Sequence, residues 1–132
     1  MKRHRVVLDT NIFVSAMLSP LGNPAKIYRM FLEEMLILVY STDIFKEYSD
    51  VLFRPRLHIQ SEDAEKVLYA IHQYGEIVKP VASMVPLPDE ADRIFYDVAK
   101  SAGARLVTGN IRHYPHERFI LTPTKFLELY IS

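Results

Sequence analysis

The sequence predicts an α/β fold: a three-layer α/β/α sandwich around a central parallel sheet of about five strands, Rossmann-like in its winding. Three observations predict it. Short apolar runs at Arg5–Asp9 (RVVLD), Leu36–Tyr40 (LILVY) and Ala104–Thr108 (ARLVT) have the near-continuous hydrophobicity of strands buried on both faces. Between them lie longer segments whose apolar positions recur at helical spacing. That alternation implies parallel pairing, with crossover helices covering both faces of the sheet.

The elements follow in order. After the strand Arg5–Asp9, a short helix is predicted over Ile12–Leu18, interrupted by the turn residues of Ser19-Pro20-Leu21-Gly22-Asn23-Pro24. Ala25–Glu34 reads as a helix and Leu36–Tyr40 as the second strand. Ser41-Thr42 offers an N-cap for a helix reaching about Phe53, where Arg54-Pro55 stops it. Ser61–Tyr74 opens with a serine cap and with Glu62 and Asp63, whose charges suit a helix N-terminus. Glu76–Lys79 is expected to add a short third strand, and Pro88–Ala102 a helix stopped by Gly103. Ala104–Thr108 is the fourth strand, Phe119–Leu121 the fifth, and Pro123–Tyr130 a closing helix.

Residues 1–132 read as one domain, without repeat, linker or low-complexity tract. An apolar fraction of 49% and a charged fraction of 24% are ordinary for a soluble globular protein. With Cys 0, a disulfide framework, a thiolate metal site and a cysteine nucleophile are excluded, and the composition suits a reducing cytoplasm. No apolar stretch is long enough to span a membrane, and Asp9 and Asn11 interrupt any signal-peptide core behind Lys2-Arg3-His4-Arg5. A net charge of +0 excludes the footprint of a DNA-coating protein but leaves room for a basic groove beside an acidic one. Gly22, Gly75, Gly103 and Gly109 form no phosphate-cradling run, which argues against a dinucleotide-binding enzyme. A receiver-like phosphoacceptor is disfavoured by the lack of an adjacent acidic pair early in the chain and of a suitable late lysine.

Ligands of an open parallel sheet bind beyond the carboxyl ends of its strands, so carboxylates that converge there carry the functional argument. Asp9 ends the first strand; it reads equally as an N-cap or as a functional group, and Thr10 and Asn11 are cap-capable too. Glu47 falls at the edge of the apolar stripe Ile44, Phe45, Tyr48, Val51 and Leu52, either lining a cleft or flanking it in solvent. In the helix after Leu87, Asp92 sits at the margin of the stripe Ala91, Ile94, Phe95, Val98, Ala99 and Ala102, while Asp89 and Asp97 are expected to face outward. Thr108-Gly109-Asn110 brings a neutral amide oxygen to the same pole, unless it is an ordinary Gly-Asn turn. Clustered carboxylates repel one another and call for a cation. Oxygen donors of this kind suit Mg²⁺ or Mn²⁺, ions that promote phosphodiester hydrolysis.

The segments VVLDTNIFVSA, STDIFKEYSDVLFRPR, LPDEADRIFYDVAKSAGARLVTGN and ILTPTKFLELY, in that order and spacing, resemble the PIN-domain family, especially its toxin-like (VapC-like) ribonuclease branch. The resemblance covers essentially the whole chain and implies a single PIN-like nuclease domain over residues 1–132. It implies a metal-dependent endoribonuclease, often dimeric and frequently paired with an antitoxin, in the cytoplasm. Carried over, Asp9, Glu47 and Asp92 are the acidic catalytic and metal site, with Mg²⁺ or Mn²⁺ as cofactor and Asn11 and Thr108 in support. Asn110 stands where the family often has a fourth acid; its amide oxygen can reach a metal or its water but adds no negative charge. Asp89 is the acid in reach to substitute for it if its loop turns inward. Arg112, His113, His116 and Arg118 are expected at the active pole, where Arg112 and His113 are the candidates to meet RNA phosphates. The basic run Lys2–Arg5 is expected at the opposite pole. The competing reading is a catalytically weakened PIN-like module that binds RNA or a partner protein.

Overall fold

In the computed structural model, which describes residues 3–131, the first strand, β1 (His4–Leu8), buries Val6, Val7 and Leu8 completely. It pairs on one side with β2 (Leu36–Tyr40), which pairs in turn with β3 (Glu76–Ile77). On the other side it pairs with β4 (Arg105–Val107), and β4 with β5 (Ile120–Leu121). The order is β3-β2-β1-β4-β5 and every pairing is parallel. The chain therefore reverses its direction of winding between β1 and β4, the place where open α/β sheets leave a crevice.

Six helices supply the outer layers among the described residues: α1 (Thr10–Leu18), α2 (Asn23–Leu32), α3 (Thr42–Leu52), α4 (Ser61–Tyr74), α5 (Arg93–Ala102) and α6 (Pro123–Ile131). Helix α2 packs on α1 and α6, whereas α5 lies across β1, β2 and β4 with α3 beside it. The result is the three-layer α/β/α arrangement. Its core is continuous through the sheet, joining Ile12, Phe13 and Phe31 to Leu38, Tyr48, Phe95 and Leu106. Ser41 caps α3 through a bond from the Ile44 amide at 3.2 Å, as its place before a helical stripe implies. Gly103 ends α5 at φ 65°, a left-handed turn that glycine adopts without strain.

Three differences from the sequence expectation bear on the site. The helix expected from Pro88 starts as a 3-10 turn over Glu90–Asp92, and α5 proper begins only at Arg93. Strand β3 stops at Ile77; the Val78 amide still reaches the Tyr40 carbonyl at 2.8 Å, but Pro80 offers no further donor. The segment 78–89 that follows has no regular secondary structure. It is fastened instead by Arg93, whose guanidinium donates to the Ser83 carbonyl at 3.0 Å, the Ser83 hydroxyl at 2.9 Å and the Val85 carbonyl at 2.7 Å. Asp97 does not face outward as expected: it is buried, accepts from the Ser83 hydroxyl and lies 3.7 Å from Arg93. A helical wheel places Asp97 on the polar side, but the returning segment roofs that side over.

Candidate active site

Parallel pairing sends the carboxyl ends of all five strands to one pole, and Asp9 is the residue immediately after β1. It occupies the N-cap position of α1, yet its side chain makes no capping bond. Its Oδ2 instead accepts from the Thr108 hydroxyl and the Tyr114 hydroxyl, both at 2.9 Å. Thr108 follows β4 and is fully buried; its oxygen also accepts the Asn110 amide at 2.9 Å, which fixes the hydroxyl's direction. Burial pushes the Asp9 carboxyl above its ordinary range, and the bonds from Thr108, Tyr114 and the Thr10 amide pull against that rise.

Asp92 closes the 3-10 turn ahead of α5, with its side chain 15% exposed. Its Oδ2 is shut away from solvent and no donor meets it with hydrogen-bond alignment, although His113 Nδ1 stands 3.3 Å away. Burial pushes this carboxyl up to about 6; the neighbouring charges of Asp9 and Asp89 add to the rise and His113 opposes it. Asp89, Asp92 and His113 each present one ligand-type atom, all within 4.8 Å of one another.

The other expected site residues fall around these. Asn11 Oδ1 accepts the Gly109 amide at 2.9 Å, tying the start of α1 to the loop after β4. A Cβ at residue 109 would sit 3.1 Å from that oxygen, so glycine permits the close approach. Glu47 is half-buried on α3, at the margin of the stripe led by Ile44, Tyr48, Val51 and Leu52. It is not among the residues whose ligand atoms meet at this site; its neighbour Tyr48 is a fully buried phenol whose ionisation is opposed by burial first and then by the charges of Asp9 and Glu47. Asn110 and Arg112 are exposed on the loop after β4, and Arg112 lines a cavity of about 420 Å³ together with Ile111, Tyr114 and His116. Arg118 does not lie at this pole. It precedes β5, and parallel pairing puts it beside Arg105 at the other end of the sheet.

Sequence reasoning missed Tyr114 and Tyr48 altogether. The buried Tyr48 hydroxyl donates to the Leu8 carbonyl, and Tyr114 is pushed well above the ordinary tyrosine range by burial and by Asp9. The usable signal was chemical: a tyrosine hydroxyl that is buried needs a partner, and Asp9 was the nearby acceptor without one. Asp89 and His113 were seen but underweighted, because their meeting with Asp92 depends on how two loops fold back.

A divalent ion fits these residues. Asp92 Oδ2 has lost water without gaining a donor, a costly state that a cation relieves. The sequence points to oxygen donors alone, whereas His113 brings an imidazole beside the two carboxylates, a mixed set of the kind that holds divalent ions.

Comparison with known proteins bears on the family and the fold. A family model described as PIN domain matches residues 5–112. An uncharacterized protein of Methanocaldococcus jannaschii, MJ1680, is 33% identical over 109 residues, spanning 80% of this chain and 70% of that protein. The crystal structure of PAE2754 from Pyrobaculum aerophilum superposes with a TM-score of 0.60 at 15% identity, covering 98% of this chain and 90% of that one, and shares the fold. The chain belongs to the PIN domain family. As a family, PIN domains are nucleases. Among the described residues no helix is long and apolar enough to cross a membrane.

Proposed function

We propose that the protein is a metal-dependent endoribonuclease that hydrolyses RNA phosphodiester bonds at the pole built from Asp9, Asp92, Asp89 and His113. The observation that carries the reading is the solvent-shielded oxygen of Asp92, set among carboxylates that repel it with His113 alone standing near, 3.3 Å away. Mg²⁺ or Mn²⁺ would be held by Asp92 with Asp89 and His113, with Asp9, Glu47 and the Asn110 amide oxygen as the remaining candidates. Such an ion supplies Lewis acidity, acidifying water and offsetting charge that builds on phosphate oxygens. Asp9 is oriented by Thr108 and Tyr114, which both donate to one of its oxygens. Asn11 fixes the loop that carries Asn110 and Arg112. Arg112 is exposed where a phosphate would approach, and His113 is half exposed with one ring nitrogen turned to Asp92. An open cleft of this kind suits single-stranded or looped RNA, whose backbone can enter it.

The reading extends to the toxin half of a toxin–antitoxin pair acting in the cytoplasm, with an antitoxin protein and a second copy of this chain as partners. Its support is the resemblance of VVLDTNIFVSA and LPDEADRIFYDVAKSAGARLVTGN to the toxin-like branch. The exposed Asn110 amide, in place of a fourth acid, favours one competing reading, a module that binds RNA without cutting it.

The deciding experiment incubates pure protein with end-labelled RNA and Mn²⁺ beside an Asp9→Asn variant. Internal cleavage by the wild type that the variant loses supports the nuclease. RNA bound intact by both overturns it in favour of the module. Induced expression in a bacterial host tests the toxin: growth arrest with the wild type and not with Asp9→Asn is expected, and unimpaired growth with both sinks that part.

A further inference from the structure

The chain's neutral net charge conceals a basic face at the end of the sheet remote from Asp9. A cavity of about 590 Å³ there is lined by Arg3, Arg5, Lys100, Arg105 and Arg118 against one carboxylate, Glu117. Part of that charge is already matched. Arg5 pairs with Glu76 and covers the Ala102 carbonyl, neutralising the negative end of α5. Glu117 accepts from Tyr96 and lies 3.8 Å from Lys100. Arg105 and Arg118 are different: among the described residues neither guanidinium makes a side-chain hydrogen bond or an ion pair, although Arg105 is half-buried. Both also line an adjoining hollow of about 380 Å³ with Lys125 and Glu128, whose carboxylate lies 3.5 Å from the Lys125 ammonium, so basic groups outnumber acids there too. Gathering unmatched guanidinium groups costs energy through mutual repulsion, and an anionic partner removes that cost.

We propose that Arg105 and Arg118, with Arg3 at their flank, form a second site that binds phosphates of the RNA strand away from the bond being cut. The inference rests on the nuclease reading, since it takes its ligand from there. Continuity with the catalytic pole favours RNA over an acidic protein. The 420 Å³ cavity that runs along β5 shares Glu117 with the basic cavity and reaches Tyr114, whose hydroxyl bonds to Asp9. Strand β5 is the last in the sheet, so this edge carries no further strand. Arg105 opens the strand that ends just before Thr108, a separation of about 10 Å at the usual rise per residue. That span is a few nucleotides of backbone. Guanidinium forks match phosphate oxygens in pairs, and Arg112 and His116 lie along the route.

The test measures binding without chemistry. Fluorescence anisotropy with a labelled single-stranded RNA of about fifteen nucleotides, in EDTA, compares wild type with Arg105→Glu/Arg118→Glu. Loss of two phosphate contacts should weaken binding about tenfold or more and flatten the slope of log K against log salt by about 1.4. A dinucleotide, whose single internucleotide phosphate cannot bridge the catalytic pole and the second site, should lose far less affinity in the variant than the long RNA does. The milder Arg105→Gln/Arg118→Gln pair should show the same flattening, which guards against a folding defect in the charge-reversed protein. Unchanged affinity and slope for the long RNA overturn the proposal. So does an acidic polypeptide, polyglutamate, that loses binding in the variant while RNA does not. Because EDTA suppresses cleavage, a protein that cuts no RNA but shows the flattened slope sinks the nuclease and leaves this site standing.

Discussion

Asp9 and Asp92 stand at the same pole, both raised by burial, and are held in opposite ways. Asp9 is wired into the fold, with two hydroxyl donors on one oxygen and the Thr10 amide close by. Asp92 is less deeply buried than Asp9, yet one of its oxygens is closed to solvent without an aligned donor, and its nearest company is two other carboxylates and an imidazole. One carboxylate has spent its hydrogen-bonding capacity on position; the other has kept its capacity for a ligand. A site needs both kinds.

The comparison can be sharpened first through chemistry. Asp9→Asn and Asp92→Asn should each lower Mn²⁺-dependent RNA cleavage on the order of a hundredfold or more. Residual cleavage near the wild-type rate in either would remove that residue from the site. Stability should separate the two strongly. Asp9→Ala strands the Thr108 and Tyr114 hydroxyls and should cost about 2–3 kcal/mol in urea unfolding, whereas Asp92→Ala should cost little or stabilise the metal-free protein. Equal losses would erase the distinction.

A third prediction concerns pH. Because Asp92 is raised from 3.8 to about 6, the folded protein holds a proton that the unfolded chain has already released between those values. Metal-free stability contributed by this group is therefore lost as pH climbs from about 4 to about 6. Asp92→Asn removes that loss, so its advantage over the wild type should grow through this window, reaching on the order of 1–2 kcal/mol after solvent screening. An advantage that stays flat with pH contradicts the raised value. Mn²⁺ should act in the reverse sense, raising Tm more at pH 7 than at pH 5, because binding needs the deprotonated carboxylate. The smallest effect is Tyr114→Phe, about 1 kcal/mol for the lost bond to Asp9.

The layered fold was legible because its signal is local and repeated. LILVY is strand β2 to the residue, and the helix expected over Ser61–Tyr74 is α4 without adjustment. Asp9 at the end of β1 was legible for the same reason, since the strand and its last residue are adjacent in sequence. What sequence could not supply were meetings between loops. Tyr114 reaches Asp9 across 105 positions and His113 reaches Asp92 from a turn with no periodicity to read. Asp97 was misjudged because periodicity describes a helix in isolation, and the segment 78–89 covers the face that isolation would leave wet.

That segment has one further consequence. Twelve residues without helix or strand surrender backbone freedom worth roughly 1 kcal/mol apiece when they settle. Arg93 holds residues 83 and 85 to the head of α5, with Asp97 gripping Ser83 as well, so Asp89 hangs from a short tether fixed at both ends. A ligand arriving at this rim finds it already still and forfeits little in freezing it.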